Sequence, residues 1–410
     1  MSGALTKRTI KKKMSQEQAF DLYLSGENVF LTGAGGTGKS KLIRDIYAHA
    51  TSMGRNIQVC ATTGCAAILL GCNAKTIHSW AGIGLGGTGA LDKVMGNRYV
   101  RKRWSELEIL VLDEVSMLSD TVFNLLDDLG KKTRRSGRPF GGLQLIFSGD
   151  FFQLPPVDSE FCFCSPNWTK TFPKSVVLQK MFRQTDDEYC RILNEIRNGQ
   201  LTKASYTTLK ACVRTSEGIT RLVPTRAKAD AINAKAYETL TTEEAEFKMD
   251  CQASSKQEAQ YELKFLKTNV RVDEIVKLKI GCQVMCVVNL SDDICNGSQG
   301  IVTRFSGGYP VVRFKHGETV MRPHVWESES VLGVNVSQVP LIYSWAVTIH
   351  KAQGATLDAA EIDAGGDIFE CGQTYVALSR VRSLDGLFLS SLDVSKIRLN
   401  RKVLEFYAAL

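Results

Sequence analysis

The alternation of apolar and polar residues in the first part of the chain predicts a set of buried strands. Four short apolar runs each end in polar or glycine-rich residues, at 28–32, 57–61, 109–112 and 144–147. Stretches with helical periodicity separate these runs, and the first helix, at 15–24, would begin with a capping box. Buried strands that alternate with helices are typical of an α/β fold with a parallel sheet. Polar residues after the strands would then gather at the carboxyl edge of that sheet, where such folds bind ligands.

The same pattern returns in the second part of the chain. From about residue 166, apolar runs at 176–178, 221–223, 344–347 and 386–390 predict further strands. A helical pattern at 228–239 lies among them. These segments predict a second α/β domain.

Between about residues 279 and 340, the pattern changes to short β-type runs with tight turns. Asn296-Gly297 and Lys315-His316-Gly317 are typical of hairpin turns. This stretch predicts a small all-β insertion within the second α/β domain. The polar stretch at 241–261 mixes charges of both signs and predicts a surface excursion.

Composition and charge exclude several classes of protein. The 410 residues are 44% hydrophobic and 23% charged, which is ordinary for a globular protein and excludes disorder of the whole chain. This length exceeds what one hydrophobic core usually supports, so at least two domains are expected. No apolar run approaches the ~18 residues of a membrane span, so no membrane partner is expected. The 51 Lys and Arg exceed the 43 Asp and Glu, and the net charge of +8 permits a polyanionic partner without requiring one.

The cysteines and histidines show no pattern of a metal site or of a disulfide framework. None of the 12 Cys forms a CxxC pair, several lie in apolar stretches, and the 5 His are scattered. A reduced, intracellular compartment is therefore expected. The first residues lack the apolar segment of a secretory signal, and residues 7–13 carry a basic run. That run fits either a nuclear-import or nucleic-acid patch or a solvated tail.

Residues 33–40 carry the most specific chemical motif in the chain. They read Gly-Ala-Gly-Gly-Thr-Gly-Lys-Ser, which matches GxxxxGK(S/T), and they lie between a predicted strand and a predicted helix. Glycines let the backbone amides turn towards phosphate oxygens, and the start of the helix adds the positive end of its dipole. Lys39 would reach the β- and γ-phosphates, and the hydroxyl of Ser40 would hold Mg²⁺. The expected nucleotide-binding residues are Gly33, Gly35, Gly36, Thr37, Gly38, Lys39 and Ser40.

Acidic and amide residues follow the next predicted strands. Asp113 stands at the end of one strand, where a phosphate-loop enzyme needs its second Mg²⁺ contact. The adjacent Glu114 would act as the general base that polarises the attacking water. After the following strand, Gln153 would sense the γ-phosphate, and Phe151 and Phe152 either stack on a base or pack in the core.

These motifs, together with later ones, resemble one known family. The phosphate loop, DEVSM at 113–117 and PFGGLQLIFSGDFFQLPPV at 139–157 together resemble the petite-integration-frequency (PIF) family of superfamily-1B DNA helicases, which are relatives of the RecD type. The block at 116–157 resembles the signature that separates this family from other superfamily-1 enzymes. The resemblance runs from about residue 15 to the C-terminus.

The resemblance implies an α/β fold of two RecA-like parallel-sheet motor domains of the P-loop NTPase type. A basic tail at 1–14 would precede the first domain at 15–165, which would carry a small insertion at about 76–104. The second domain would comprise 166–278 and 341–410, with an SH3-like all-β insertion at 279–340.

The resemblance also assigns side chains to ATP. Gln18 matches the glutamine that reads adenine in the family, although it also suits the capping box of the first helix. Arg183 and Arg380 match arginines that stabilise the transferring phosphoryl group, as arginine fingers do. Gln353 and Gly354, in the motif TIHKAQG, would lie near the γ-phosphate.

A second group of residues is expected to grip the phosphates of DNA without reading its bases. By resemblance these contacts are Thr62, Thr63, His78, Thr225, Thr348, His350 and Lys351. Each of the threonines and histidines could instead make only a local turn bond. A basic cluster at 98–103, beside Trp104, fits either the point of strand separation or a solvated helix face, and a second cluster lies at 131–138.

The expected activity is that of an ATP- and Mg²⁺-dependent DNA helicase, which moves 5′→3′ along single-stranded DNA and unwinds the duplex ahead. The resemblance alone implies this direction and the duties in replication, recombination, repair or telomere maintenance, with G-quadruplex DNA as a further substrate. The expected partners are single-stranded and forked DNA, and the chain is expected to be a monomer off DNA. The expected location is the nucleus, with a mitochondrion or a viral replication compartment as alternatives.

The residues alone leave two other functions open. One is an RNA helicase of the same superfamily, because contacts to a phosphate backbone do not distinguish the two sugars. The other is a phosphate-loop ATPase switch that acts without nucleic acid.

Overall fold

The computed structural model describes residues 16–84, 89–184, 186–216, 218–270, 272–288, 290–291, 293–294, 296–328 and 331–410. The expected basic tail at 1–14 and Ser15, the first residue of the expected capping box, lie outside the described residues.

Helices and strands alternate in the first and last parts of the chain, and strands dominate between them. The helices are α1 (Gln16–Leu24), α2 (Lys39–Ser52), α3 (Gly64–Leu70), α4 (Ile77–Ala81), α5 (Ala90–Gly96), α6 (Arg98–Glu106), α7 (Asp120–Arg134), α8 (Trp168–Thr171), α9 (Asp187–Arg197), α10 (Lys203–Ala211), α11 (Arg226–Thr239), α12 (Gln257–Asn269), α13 (Gln373–Leu378) and α14 (Arg401–Ala409). The strands are β1 (Val29–Gly33), β2 (Ile57–Ala61), β3 (Lys75–Thr76), β4 (Ile109–Asp113), β5 (Gln144–Gly149), β6 (Lys174–Leu178), β7 (Arg221–Val223), β8 (Glu244–Lys248), β9 (Asp250–Gln252), β10 (Ile275–Lys279), β11 (Gln283–Cys286), β12 (Gln299–Ser306), β13 (Tyr309–Phe314), β14 (Gly317–Val320), β15 (His324–Glu327), β16 (Asn335–Gln338), β17 (Leu341–Tyr343), β18 (Ala346–Thr348), β19 (Ala360–Ala364) and β20 (Leu387–Leu392).

The first sheet is parallel throughout and has the strand order β3-β2-β4-β5-β1-β6. Alternate residues of its buried strands enter two different cores. Leu110 and Leu112 pack with Phe123 of α7, while Ile109 packs with Ile43 of α2 on the other face. Both faces are covered by helices, which explains why the central strands read as continuous apolar runs. The four strands predicted in this part of the chain are confirmed.

The first unit extends beyond the predicted boundary at residue 166. Strand β6 was expected in the second domain, but it pairs with β1 in the first sheet, with Gly33 opposite Leu178. Helix α14 also belongs to the first unit, because Val403 is buried in the same core as Trp168. The predicted domain limits are wrong for both segments, since an apolar run shows that an element is buried but not which sheet it joins.

The second sheet is also parallel and has the order β18-β7-β19-β20. Strand β19 was not predicted from the sequence. Its residues Glu361 and Asp363 interrupt the apolar run, yet both are buried. Glu361 forms an ion pair with Arg221 at 3.2 Å, and Asp363 forms one with Lys228 at 2.6 Å. Paired buried charges therefore hide this strand from a hydrophobicity pattern.

The β-rich unit is antiparallel and larger than predicted. Its five-stranded sheet has the order β14-β13-β12-β11-β17, and smaller sheets join β10 to β8 and β15 to β16 and β9. Helix α12 supplies Leu266 to a core that also holds Val284 and Trp326. The stretch at 241–261 is mostly exposed, as predicted, but it forms β8, β9 and the start of α12, so the predicted start of the β-rich unit at residue 279 is wrong. The half-exposed strand β8 has mixed polarity, which made it read as a loop. The SH3-like character of this unit stays a prediction.

The expected insertion at 76–104 contains the short helices α4, α5 and α6 in its described part. Trp80 and Trp104 contact each other in the first core, with ring centroids 4.8 Å apart. Tyr99 is 83% exposed. Among the described residues, none of the helices has both the length and the apolar character that a bilayer crossing requires.

Candidate nucleotide and nucleic-acid site

The phosphate loop joins the end of β1 to the start of α2 and folds around Lys39. The Nζ of Lys39 donates hydrogen bonds to the carbonyl oxygens of Gly33, at 2.7 Å, and Ala34, at 3.0 Å. The hydroxyl of Thr37 donates to the same Ala34 carbonyl at 2.8 Å. Burial lowers the pKa of Lys39, against the opposite effect of nearby carboxylates. The loop therefore holds a lysine at its centre, where the phosphates of a nucleotide would meet it.

Glycine at position 36 is required by the close approach of the second α/β unit. Gly36 has a φ of 87°, and a Cβ at this position would lie 2.7 Å from the Cβ of Arg183. Neither the backbone conformation nor the available space admits a side chain. Bare backbone of this kind lets amide groups face phosphate oxygens.

The predicted carboxylates stand at the end of β4, beside the loop. The hydroxyl of Ser40 donates to Oδ2 of Asp113 at 3.5 Å. Burial raises the pKa of Asp113, and burial together with the neighbouring Asp113 raises the pKa of Glu114 to about 7. Glu114 has a φ of 56°, a conformation uncommon for a residue with a side chain and frequent at functional sites.

The pair of Ser40 and Asp113 fits a magnesium ion that a nucleotide brings with it. The described residues contain no group of three or more His, Cys, Asp or Glu that could hold a metal ion by themselves. Mg²⁺ usually keeps water and phosphate oxygens among its ligands, so a hydroxyl and a carboxylate are a sufficient contribution from the protein.

The structure brings two predicted catalytic residues and one predicted nucleotide-binding residue together from three loops. The Nε2 of Gln353 donates to Oε2 of Glu114 at 3.2 Å and to Oε1 of Gln153 at 3.4 Å. Gln353 comes from the second unit, whereas Glu114 and Gln153 follow strands of the first. Gly354 lies beside α3, where a Cβ would contact Leu69 at 3.3 Å. The amide of Gln353 thus spans the gap between the two units at Glu114.

Both predicted arginines reach the phosphate loop from the second unit. A Cβ on Gly35 would lie 3.4 Å from Nη2 of Arg380 and 3.8 Å from Nη1 of Arg183. Arg380 is 2% exposed, and burial and the neighbouring Arg183 lower its pKa to about 9. Burial also lowers the pKa of Arg183. Two guanidinium groups that converge beside the phosphate loop form a site suited to a polyanion.

The residues beside the expected adenine position include two that the sequence did not reveal. The Nε2 of Gln16, rather than Gln18, donates to the carbonyl oxygens of Thr37 and Gly38, at 3.3 and 3.4 Å. Gln18 is half-buried on α1. The ring of Phe182 is 55% exposed, and its amide donates to the carbonyl of Gly36 at 2.9 Å. Phe182 directly precedes Arg183, but a sequence does not show whether a phenylalanine is exposed.

Four of the expected DNA-contact threonines follow the carboxyl ends of parallel strands. Thr62 and Thr63 follow β2, Thr225 follows β7 and Thr348 ends β18. Thr63 and Thr225 cap α3 and α11. The hydroxyl of Thr348 accepts from the amide of Lys351 at 3.2 Å, and that of Thr62 donates to the carbonyl of Glu114 at 2.9 Å. The local bonds considered as the alternative are present at Thr63, Thr225 and Thr348, whereas Thr62 binds a residue of a different loop.

The other expected DNA contacts also follow strands of the two parallel sheets, with His78 after β3 and His350 and Lys351 after β18. His78 is half-buried in α4, and burial lowers its pKa. His350 and Lys351 are exposed in the loop after β18. The ring of His350 is nearly parallel to the exposed ring of Phe369, with centroids 6.3 Å apart.

Each of the two basic clusters contains side chains that bind the fold and side chains that are exposed. In the second cluster, Lys131 pairs with Asp127 at 2.6 Å, and Arg134 donates to the carbonyl of Leu107 at 2.7 Å. These two side chains therefore stabilise the first unit. In the first cluster, Arg103 donates to the carbonyl of Trp80 at 2.7 Å, whereas Arg98 and Arg101 are exposed on α6.

A buried ion pair that the sequence did not indicate connects the two units. Asp150 follows β5, and Arg197 is the last residue of α9. The Nε and Nη2 of Arg197 donate to the two carboxylate oxygens of Asp150, at 2.9 and 2.8 Å. The hydroxyl of Tyr375 donates to Oδ2 of Asp150 at 3.4 Å. A pairing between residues this distant along the chain leaves no periodic pattern.

Known proteins resemble this chain along nearly its whole length. The model of the family described as PIF1-like helicase matches residues 11–207, and that described as DNA helicase Pif1, 2B domain, matches 263–305. The ATP-dependent DNA helicase PIF1 of Homo sapiens is 36% identical over 98% of this chain. The chain spans 64% of the length of that relative.

Solved structures show the same likeness. The crystal structure of Pif1 helicase from Candida albicans is 32% identical, with a TM-score of 0.76 over 98% of this chain and 100% of that chain. The crystal structure of Bacteroides sp Pif1 in complex with ADP-AlF4 is 28% identical, with a TM-score of 0.80 over 96% of both chains.

Proposed function

The chain belongs to the PIF1-like helicase family, and on that premise we propose that it is an ATP-dependent DNA helicase. The observation that carries the proposal is the meeting of two α/β units at one phosphate loop. Arg183 and Arg380 reach Gly35 of the first unit from the second, so hydrolysis depends on how the two units are arranged.

Nucleotide binding is assigned to the phosphate loop and its surroundings. Lys39 and the loop amides would bind the β- and γ-phosphates, and Ser40 and Asp113 would hold Mg²⁺, which neutralises phosphate charge. The exposed ring of Phe182 is placed to stack on a nucleobase. The proposed contact to adenine is the side-chain amide of Gln18. The ADP-AlF4 bound to the Bacteroides relative supports nucleotide use at this site.

Water activation is assigned to Glu114. Its raised pKa, about 7, suits a carboxylate that takes a proton from water near neutral pH. The amide of Gln353 donates to that carboxylate and also to Gln153, so it fixes the direction in which the carboxylate points. Arg183 and Arg380 would stabilise charge on the transferring phosphoryl group.

Strand binding is assigned to the carboxyl edges of both sheets. Thr62 and Thr63 stand on the first edge, and Thr225 and Thr348 stand on the second. Hydroxyl and amide groups along such edges grip a phosphate backbone without reading its bases. The hydroxyl of Thr62 binds the backbone of Glu114, which connects the strand edge directly to the general base.

The finer features of the activity rest on family membership. They are movement 5′→3′ on single-stranded DNA, unwinding of forked duplex and of G-quadruplex DNA, and duties in replication, recombination, repair or telomere maintenance. A monomeric state off DNA and a nuclear location are proposed on the same basis.

The decisive experiment compares unwinding of duplexes that carry a 5′ or a 3′ single-stranded tail. The 5′-tailed substrate should be unwound, and Lys39→Ala should abolish the activity. Lys41→Ala is a matched control, because Lys41 lies on the same helix and its side chain is 67% exposed. Unwinding of only the 3′-tailed substrate would overturn the proposed direction.

ATP hydrolysis with matched oligomers separates the alternatives. Stronger stimulation by RNA than by DNA would favour an RNA helicase. Hydrolysis that ignores every nucleic acid would favour a switch that acts on another partner.

A further inference from the structure

We propose that Tyr375 is a positioning residue, which ties the second α/β unit to the phosphate loop through a hydrogen-bond relay and thereby keeps Arg380 aligned on the loop. The relay runs from the amide of Gly35 through the Tyr375 hydroxyl to Asp150 and Arg197. The proposal rests on the ATP hydrolysis proposed above, and it adds a residue through which the arrangement of the two units controls that reaction.

The first step of the relay is a direct bond between the two units. The backbone amide of Gly35 donates to the hydroxyl oxygen of Tyr375 at 3.0 Å. Tyr375 lies in α13 of the second unit, and Arg380 follows two residues after the end of that helix. The bond therefore holds the loop at the position where Arg380 and Arg183 converge.

The second step fixes the direction of the hydroxyl. Because the Tyr375 oxygen accepts from the amide, its own proton is available to Oδ2 of Asp150, at 3.4 Å. Burial raises the pKa of Tyr375, so the hydroxyl keeps this proton. Asp150 is 0% exposed, and a hydroxyl beside a buried carboxylate has one preferred orientation.

The third step anchors the carboxylate. Arg197 binds both oxygens of Asp150 at 2.8 and 2.9 Å, which is the strong, forked form of an ion pair. Its guanidinium carbon lies 4.4 Å from the centroid of the Phe152 ring, over its face. The ring of Tyr407 stacks on the Phe152 ring, with the two ring centroids 4.6 Å apart. Rigid surroundings of this kind leave the relay little freedom to adjust.

Each of the three links of the relay crosses between the units. Gly35 and Asp150 belong to the first unit, whereas Tyr375 and Arg197 belong to the second. Separation of the units at this point must break the bond between Gly35 and Tyr375, and it would carry Arg380 away from the loop. The hydroxyl of Tyr375 thus makes the position of the loop depend on the position of the second unit.

The test replaces Tyr375 by Phe in the full chain, which removes one oxygen and keeps the ring. The turnover number for DNA-stimulated ATP hydrolysis should fall about tenfold, because the guanidinium is misplaced, while KM stays within about twofold. Hydrogen–deuterium exchange in the phosphate loop should become faster, since the amide of Gly35 loses its acceptor.

Tyr189→Phe is the matched control. The buried hydroxyl of Tyr189 donates to the carbonyl of Leu378 at 2.6 Å. Leu378 lies in α13, the helix that also carries Tyr375, but this bond does not involve the phosphate loop. This variant should keep both the turnover number and the slow exchange of the loop. Equal losses in the two variants would overturn the relay, because any buried hydroxyl would then have the same effect.

A double-variant cycle decides whether Tyr375 acts through Arg380. Tyr375→Phe should cause little further loss in an Arg380→Ala chain, whereas full additivity would overturn the proposal. If the wild-type chain hydrolyses ATP and the Tyr375→Phe variant has the same turnover number, the relay is overturned while the proposed function stands. A wild-type chain without ATP hydrolysis would overturn the proposed function, and the exchange measurement would still show whether Tyr375 holds the loop.

Discussion

The Nζ of Lys228 donates a hydrogen bond to Oδ2 of Asp363 at 2.6 Å, which ties the first turn of α11 to the buried strand β19. A second bond from the same Nζ reaches Asp367 at 2.7 Å. Although burial alone would raise the pKa of Asp363, the hydrogen bonds from Lys228 and Ser391 lower it. Thr225 caps the same helix, so this ion pair helps to position a proposed DNA contact.

Lys228→Met should lower the free energy of unfolding by about 1 kcal/mol, because Asp363 stays buried while the lost lysine is partly exposed. Since the folded-state pKa of Asp363 is lowered, the bond stabilises the protein at neutral pH and loses its effect as the pH falls through that pKa. Thermal midpoints of the variant and the wild type, measured from neutral to acid pH, check this. Lys235→Met, at an exposed position of the same helix, is the control. Equal midpoints of the wild type and Lys228→Met at neutral pH would contradict the prediction.

Gly35→Val should slow ATP hydrolysis about 10- to 100-fold while nucleotide still binds, because misplacing a group at the reacting centre has effects of this size. The added methyl groups would meet Arg380 and Arg183, which already lie 3.4 and 3.8 Å from the position of a Cβ. Turnover and the affinity for a fluorescent nucleotide measure the two effects separately. Gly137→Val, at a position with no neighbour within 4 Å, should leave both unchanged. Normal turnover of the Gly35→Val variant would show that the arginines do not take part in hydrolysis from their positions beside Gly35.

Glu114→Gln should reduce hydrolysis by about a hundredfold or more, because the amide cannot take a proton from water. Nucleotide affinity should be kept, since the phosphate loop is untouched. Single-turnover hydrolysis and equilibrium binding check the two parts, and Glu106→Gln on the surface of α6 serves as the control. A Glu114→Gln chain that turns over normally would remove Glu114 from the role of general base.

Arg197→Met should destabilise the fold by about 3–5 kcal/mol, because it leaves the carboxylate of Asp150 buried without its partner. The double variant Asp150→Leu, Arg197→Met should lose less, since no charge stays buried. Thermal midpoints of the two single variants and the double variant give the comparison. A double variant that is less stable than Arg197→Met would show that the ion pair itself provides the stability.

The sequence predicted the parts of the site that depend on short segments. The phosphate loop, Asp113 and Glu114 each follow a buried strand, and such strands show directly as apolar runs. The convergence of Arg183 and Arg380 on Gly35 came only from the resemblance, because distant residues leave no local pattern.

The sequence failed where buried polar groups or long-range pairing decide the structure. Strand β6 joins the first sheet through pairing with β1, and an apolar run carries no information about its partner. Gln16 and Tyr375 bind the phosphate loop with polar atoms that resemble ordinary surface or core residues in the sequence. Only the arrangement in space shows what these side chains contact.

The return of α14 to the first unit has a mechanical consequence. Two covalent links, at about 179–180 and 393–400, join the first unit to the second. Met181 packs against the second core, and Val403 is packed in the first core while β20 lies in the second sheet. A unit joined to another by a single flexible link can rotate about any axis. A unit joined by two links rotates mainly about the line that connects the two links. Movements of the second unit relative to the first would therefore follow one axis.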